Sequence, residues 1–250
     1  MDRVVYTAMG GASRVLEQQS VISNNLANVS TTGFREQLAV YRSVPVVGEQ
    51  GLPTRVTTVT STPSSNFRQG SMQETGSPLD MAVSGDGWLS VQTPTGEAYT
   101  RDGELAVNAQ GILVTQQGQP VLSTGGGPIN IPDRGTLTFS ADGYVNVLGA
   151  GDTPKDLQVV AQLKLVNPPA ASLERGGDGL FRMAAGQPPV AQADPNVRVV
   201  PGFVEKSNVS PAEAMVGMIS NARRFEMQMK VIDDASTNED KGNSILSVNG

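Results

Sequence analysis

Two heptad-spaced apolar stripes, one near each end of the chain, constrain this fold more than anything between them. From Val5, the positions Ala8, Ala12, Val15, Ile22 and Leu26 recur at alternating steps of three and four, with Gln19 interrupting. That is the seam of a coiled-coil-like helix, not the two-residue period of a strand. A second stripe, Met215, Met218, Ala222, Phe225, Met229 and Ile232, repeats the spacing near the other end. Neither helix can bury its stripe alone. The ends must pair with each other or be handed to a neighbour, and the period by itself allows both.

The first stripe predicts a helix of about 23 residues, about 35 Å long at 1.5 Å per residue. It runs into Asn24-Asn25-Leu26-Ala27-Asn28-Val29-Ser30-Thr31-Thr32-Gly33-Phe34, where polar and β-branched residues and then Gly33 supply a stop. The asparagines admit two readings. One is a solvated helix end with local side-chain-to-backbone bonds. The other makes Asn24 and Asn28, one turn apart, a polar contact that fixes register with a partner helix.

The second helix has a sharper start. In Asn208-Val209-Ser210-Pro211-Ala212-Glu213, Ser210 is the expected cap and Pro211 sits where its missing N–H costs nothing. Glu213 can reach back as the capping-box partner. Four of the nine methionines, Met215, Met218, Met227 and Met229, lie in this helix. Methionine serves as core filler or as a contact face for varied neighbours. From Ser236 the stripe fails. Asn238-Glu239-Asp240-Lys241-Gly242-Asn243 reads as frayed or turn-like, and Ile245, Leu246 and Val248 could resume packing after it.

The middle changes period. Residues from Val44 to Asn66, rich in Pro, Thr, Ser and Val, read as an extended connector with a strand from Arg55 to Thr60. Turn signals then fall at Asp86-Gly87, Thr95-Gly96, Asp102-Gly103, Gln110-Gly111 and Gln117-Gly118. Between them lie Trp88-Leu89-Ser90-Val91, Ala98-Tyr99-Thr100, Leu105-Ala106-Val107 and Ile112-Leu113-Val114. Short strands joined by tight turns describe an antiparallel meander or small barrel, which Asp142-Gly143 and a strand from Val159 to Val166 extend. Trp88, the single tryptophan, is expected as a core anchor. The predicted fold is mainly β with α-helical termini: discontinuous N- and C-terminal helices in a coiled-coil-like layer, and a central antiparallel β domain.

Chemistry finds little support. The chain has no histidine and no cysteine, which excludes Ser-His-Asp triads, imidazole metal sites and thiolate chemistry. A phosphate loop and a Gly-x-Ser-x-Gly elbow are both absent. Gly125-Gly126-Gly127, followed by Pro128, reads as a turn, and Asp233-Asp234 and Glu239-Asp240 as solvated surface. No cofactor, metal or enzymatic activity is expected. A net charge of −6 without a basic, aromatic-interleaved patch argues against nucleic acid. Arg223-Arg224, the only basic doublet, has Glu226 beside it and reads as a helix face with local ion pairs. Nowhere does an apolar run approach the eighteen or so residues of a membrane span. The N-terminus also lacks the leucine block of a secretory signal.

Three separated motifs carry a resemblance. Ile22-Ser23-Asn24-Asn25-Leu26-Ala27-Asn28-Val29-Ser30-Thr31-Thr32-Gly33-Phe34-Arg35 closely resembles the N-terminal signature of the flagellar rod and hook axial proteins. Leu79-Asp80-Met81-Ala82-Val83-Ser84-Gly85-Asp86-Gly87-Trp88 and Tyr99-Thr100-Arg101-Asp102-Gly103 resemble that family's central region. Glu205-Lys206-Ser207-Asn208-Val209, Met218-Ile219, Arg223, Phe225-Glu226 and Lys230 resemble its C-terminal signature. Within the family, Met1-Asp2-Arg3, Tyr6-Thr7-Ala8-Met9, Glu17-Gln18-Gln19, Val44-Pro45-Val46 and Gly51-Leu52-Pro53-Thr54-Arg55 are most similar to a proximal rod subunit, the distal rod subunit being the nearest sibling. Departures are Ser23 for the common alanine, Phe225 for tyrosine, and Trp88-Leu89 for two phenylalanines. Phe225 gives up a phenolic hydrogen bond and keeps the packing.

The resemblance implies a structural subunit of the bacterial flagellar basal body. It would be exported unfolded by the flagellar type III apparatus without a cleaved signal, and built into the periplasmic rod that passes torque to the hook. Its partners would be homologous rod subunits and copies of itself, with neither nucleic acid nor membrane insertion. The terminal helices would form an inner, channel-lining layer. The expected subunit interface comprises Val15, Ile22, Asn24, Asn25, Leu26, Asn28, Gly33 and Phe34, then Met215, Met218, Ile219, Arg223, Phe225, Met229 and Ile232. Expected segments are an N-terminal helix over 1–34, a connector over 35–78, a β domain over 79–204 and a C-terminal helix over 205–250. A surface adhesin or binding module is the competing class. It would need an exposed aromatic platform, for which four tyrosines and one tryptophan offer little material.

Overall fold

The computed structural model describes residues 2–45, 56–60, 64–132, 135–149 and 157–248. The connector motif Gly51 to Arg55 lies outside the described residues. The chain divides into two compact units: residues 1–27, 37–65 and 210–250 form one, and residues 28–36 and 66–209 the other.

The first unit is built on α1 (Asp2–Ala27) and α2 (Pro211–Val248), packed together. The start of α2 is capped as expected: Glu213 N–H donates to Ser210 Oγ at 3.4 Å and Ala214 N–H to the Ser210 carbonyl at 3.0 Å. The reciprocal half of the capping box is not formed. Contrary to the expected fraying, α2 stays helical through Asn238 to Asn243. Its packed column continues through Ile232, Ala235, Glu239 and Gly242 at the same three-four steps, and no proline interrupts it. A column of small and half-buried polar residues carries no apolar signal, yet it fits a close helix partner.

Gly33 is not the stop of α1, which ends six residues earlier at Ala27. Its φ of +68° suits glycine. The tighter demand is steric, since a Cβ here would lie 2.3 Å from the backbone carbonyl carbon of Arg101. Among the described residues, the rest of the first unit contains two antiparallel pairs, Tyr41–Pro45 with Val56–Thr60 and Gln37–Leu38 with Ser64–Ser65.

The second unit is antiparallel β. Its largest sheet has five strands, in the order Leu165–Val166, Trp88–Thr93, Gly96–Thr100, Phe181–Met183, Leu173–Arg175. A three-stranded sheet, Thr136–Phe139, Tyr144–Leu148 and Gln158–Gln162, and several two-stranded ladders complete it. The expected strand from Val159 to Val166 is divided between these two sheets. The chain crosses at Leu163 and Lys164, whose N–H groups bond the carbonyls of Gly143 at 2.8 Å and Leu122 at 2.9 Å. One core cluster contains Leu89, Val91, Leu113, Val121, Ile129 and Leu163. Trp88 anchors a second, as expected, with the Phe181 ring at 4.6 Å and the Phe67 ring edge-on at 5.9 Å.

Candidate functional site

The helix pair is antiparallel and closely spaced. A Cβ on Gly11 would meet the Gln228 side chain at 3.0 Å, and one on Gly217 would meet Ile22 Cδ1 at 3.2 Å. Eleven residues forward on α1 is thus eleven backward on α2, which sets the register. Ala8, Ala12 and Ala235 are buried, so small residues let the axes approach.

On α1 the packed column is the predicted one: Ala8 and Ala12 are buried, and Val5, Val15, Ile22 and Leu26 are half-buried. On α2 the predicted stripe splits. Met218, Phe225 and Ile232 are half-buried, but Met215, Ala222 and Met229 are exposed, and so are Ile219 and Arg223. Their places are taken by Ala214, Asn221, Gln228 and Ala235. The reason is geometric. A helix offers a seam on either flank of one shared column, and the flank with the smaller residues can follow Gly11 and Gly217 into close contact. Among the described residues, Arg223, Arg224 and Glu226 form no ion pair within 4 Å, against the local pairing expected from sequence.

The asparagines have separate tasks. Asn25 is buried; its Nδ2 donates to the Gln37 carbonyl at 2.9 Å and its Oδ1 accepts Gln37 N–H at 2.8 Å. A side chain here imitates a strand neighbour. Asn28 Oδ1 accepts the Thr31 hydroxyl at 3.2 Å. The contact is local, but it joins side chain to side chain where the first reading expected bonds to the backbone. Asn24 is exposed.

In the second unit, the chain just after α1 and the chain just before α2 are laced together. Glu205 receives Arg35 at 2.7 Å and Arg101 at 3.1 Å, and its Oε1 also accepts Gly70 N–H at 2.9 Å. Its carbonyl accepts Gly33 N–H at 2.7 Å. Asn208 Oδ1 accepts Glu36 N–H at 2.7 Å, while its Nδ2 donates to the carbonyls of Asn66 and Arg68, each at 2.8 Å. Arg35 also donates to the Arg68 carbonyl and Arg101 to that of Gly85. The guanidiniums of Arg35 and Arg101 lie 5.8 and 5.6 Å from the Trp88 ring centroid, and that of Arg175 lies 4.3 Å from Phe34, which is buried. Burial pushes Arg101 down to about 10 and lowers Arg35 and Arg175 too, while Glu205 opposes the shift on the first two. Arg35, Arg101, Glu205 and Asn208 all stand inside the sequence motifs above, but their spacing along the chain carries no sign of this cluster.

Trp88 and Tyr99 are buried, so they form no exposed aromatic platform of the kind an adhesin needs. Two long helices paired through small residues, with large apolar side chains left outside, and buried charges that hold chain segments define a structural assembly subunit. Comparison with known proteins agrees. Three family models match in order along the chain: a flagella basal body rod protein model over residues 5–35, the flagellar hook protein FlgE/F/G D1 domain over 82–147, and the flagellar basal body rod FlgEFG protein C-terminal over 200–245. The chain is 47% identical over 253 residues to the flagellar basal-body rod protein FlgF of Salmonella typhimurium, covering 99% of this chain and 100% of that one. It is 33% identical to the FlgF of Caulobacter vibrioides, with 94% of each chain covered, and 36% identical to the FlgG of Buchnera aphidicola, covering 85% of this chain and 88% of that one. The chain belongs to the FlgE/F/G family of flagellar basal-body rod proteins. It is a structural, non-enzymatic subunit of that rod and assembles with other rod subunits. Among the described residues, no helix is long and apolar enough to cross a membrane.

Proposed function

We propose that the chain builds the proximal part of the rod, docking through α1 and α2 onto homologous axial proteins and further copies of itself. In that place the helices line the export channel and the rod passes torque outward. Delivery is as an unfolded chain through the flagellar type III apparatus, with no signal peptide removed. The observation that carries the reading is the apolar surface that α2 leaves outside the helix pair: Met215, Val216, Ile219, Met227 and Met229 all stand 45% or more exposed. A helix that shows five large apolar side chains to water is incomplete without neighbours.

Met218→Asp tests it, because Met218 lies in the column shared by both flanks of α2. The variant should be exported and keep the native fluorescence of Trp88, which sits in the other unit, yet fail to enter the rod. Normal incorporation would overturn the reading.

A further inference from the structure

We propose that residues 197–208 are a clasp that closes last: the β unit of a chain arriving amino end first stays incomplete until Glu205 reaches it. The order of closure belongs to this chain alone, and its use in delivery rests on the unfolded-export reading above.

The β unit is joined in two ways. In its middle, strands pair with near neighbours in sequence: Trp88–Thr93 with Gly96–Thr100, Leu105–Val107 with Leu113–Thr115, and Thr136–Phe139 with Tyr144–Leu148. Such local ladders form early. The unit's first strands differ. Met72–Glu74 pairs with Phe203–Glu205 and Met81–Ser84 with Arg198–Pro201, and among the described residues neither pairs with any other strand. The same late segment supplies the acceptors of Gly33 N–H and Gly70 N–H, and its Lys206 N–H donates to the Ser71 carbonyl at 2.9 Å. Val197 and Val199 complete the main core cluster.

Loop length alone delays these contacts little, since each doubling makes closure only about threefold less probable. Charge delays them more. Arg35 and Arg101 are 1% and 3% exposed, and the carboxylate that meets both is Glu205. Asp86 acts on them too, but it is exposed and its pull is smaller than that of Glu205. Packing either guanidinium beside Trp88 before Glu205 arrives would bury like charges together without their main counter-ion, which is far costlier than closing a loop. The chain around Arg35 and Arg101 therefore stays open and hydrated. One carboxylate near the end of the unit then neutralises both arginines, and Asn208, bonded to Glu36 N–H at 2.7 Å, locks the two ends of the unit together. Only α2, from Pro211 onward, is still to follow.

Unfolding and refolding rates of the full-length protein in urea, followed by Trp88 fluorescence, test the order. A contact made after the rate-limiting step changes the unfolding rate and not the refolding rate. Glu205→Gln should unfold about a hundredfold faster or more, and refold within about threefold of wild type. Val199→Ala, a milder change in the same clasp, should likewise show its whole effect in unfolding. Val121→Ala, in the locally paired middle, should instead mainly slow refolding. If Glu205→Gln or Val199→Ala slows refolding as much as Val121→Ala does, the clasp belongs to the folding nucleus and the proposal is overturned. Unfolded delivery could be refuted with these rates unchanged, whereas slowed refolding refutes the clasp whatever the route. If refolding is slowed while Met218→Asp still blocks incorporation, the rod reading stands and this inference falls.

Discussion

The carboxylate of Glu205 lies 2.7 Å from the guanidinium of Arg35, and both side chains are 1% exposed. The same carboxylate holds Arg101 at 3.1 Å, so one negative charge compensates two buried positive ones. Ion pairs this deep add little stability over an apolar core, but breaking one strands a buried charge. Glu205→Gln should therefore destabilise the β unit by about 3–5 kcal/mol. Urea unfolding followed by Trp88 fluorescence checks it, since Trp88 packs beside both arginines.

Gly33→Ala should cost more than an ordinary glycine replacement. The residue sits at φ +68°, and the left-handed region alone costs a side chain about 1–2 kcal/mol. The new methyl would also collide with the Arg101 backbone at 2.3 Å, which cannot yield as a flexible side chain would. A loss exceeding that 1–2 kcal/mol in the same urea experiment is expected. Gly76, at φ +69° with nothing near its Cβ, is the control and should show only the smaller, conformational cost.

Asp102 gives the β unit a pH dependence. Burial, with smaller help from the Glu104 and Asp80 carboxylates, raises its carboxyl to about 6 against the Glu104 N–H that it accepts. The folded state thus holds a proton that the unfolded state releases near 3.8. Its stabilising contribution is complete below that value and is lost as pH rises through about 6. The difference is at most about 3 kcal/mol, at 1.36 kcal/mol per unit. Asp102→Asn should flatten this slope between pH 4 and 7, measured as the change in unfolding free energy between wild type and variant.

What could be read in advance was whatever has a period. The α1 column, the Ser210 cap and the short strands around Trp88 each carry a local pattern with one structural solution. The α2 stripe has two solutions, because Asn221 and Ala222 flank the same column. Size and apolarity favour Ala222 with Met215 and Met229, while close approach at Gly217 favours Asn221 with Ala214 and Gln228. Periodicity cannot choose between them. The arginine–glutamate cluster was hidden for another reason: Arg35, Arg101 and Glu205 are brought together by topology, and their spacing along the chain says nothing of it. Gly33 was assigned to the wrong cause, since a glycine after a helix resembles a stop even when its constraint comes from backbone distant in sequence, here that of Arg101 and Asp102.

The polar interruption in the helix seam is itself testable. Gln19 Oε1 and Asn221 Nδ2 are both buried without a hydrogen-bond partner among the described residues, one an acceptor and the other a donor. The register places residue 19 level with residue 220, so the two lie within about one residue of each other along a pair that rises 1.5 Å per residue. Leaving such groups unpaired costs about 1–3 kcal/mol each. Gln19→Leu with Asn221→Leu should therefore stabilise α1 against α2 by a similar amount, read as slower amide exchange in both helices with the β unit unchanged. A buried polar pair also penalises shifted registers. The double variant should consequently form cross-links between Gly11→Cys and positions flanking Gln228, where the parent register permits only the one. Faster exchange in the double variant would mean that the two side chains are bonded to each other in solution, and that their contact stabilises the pair as well as aligning it.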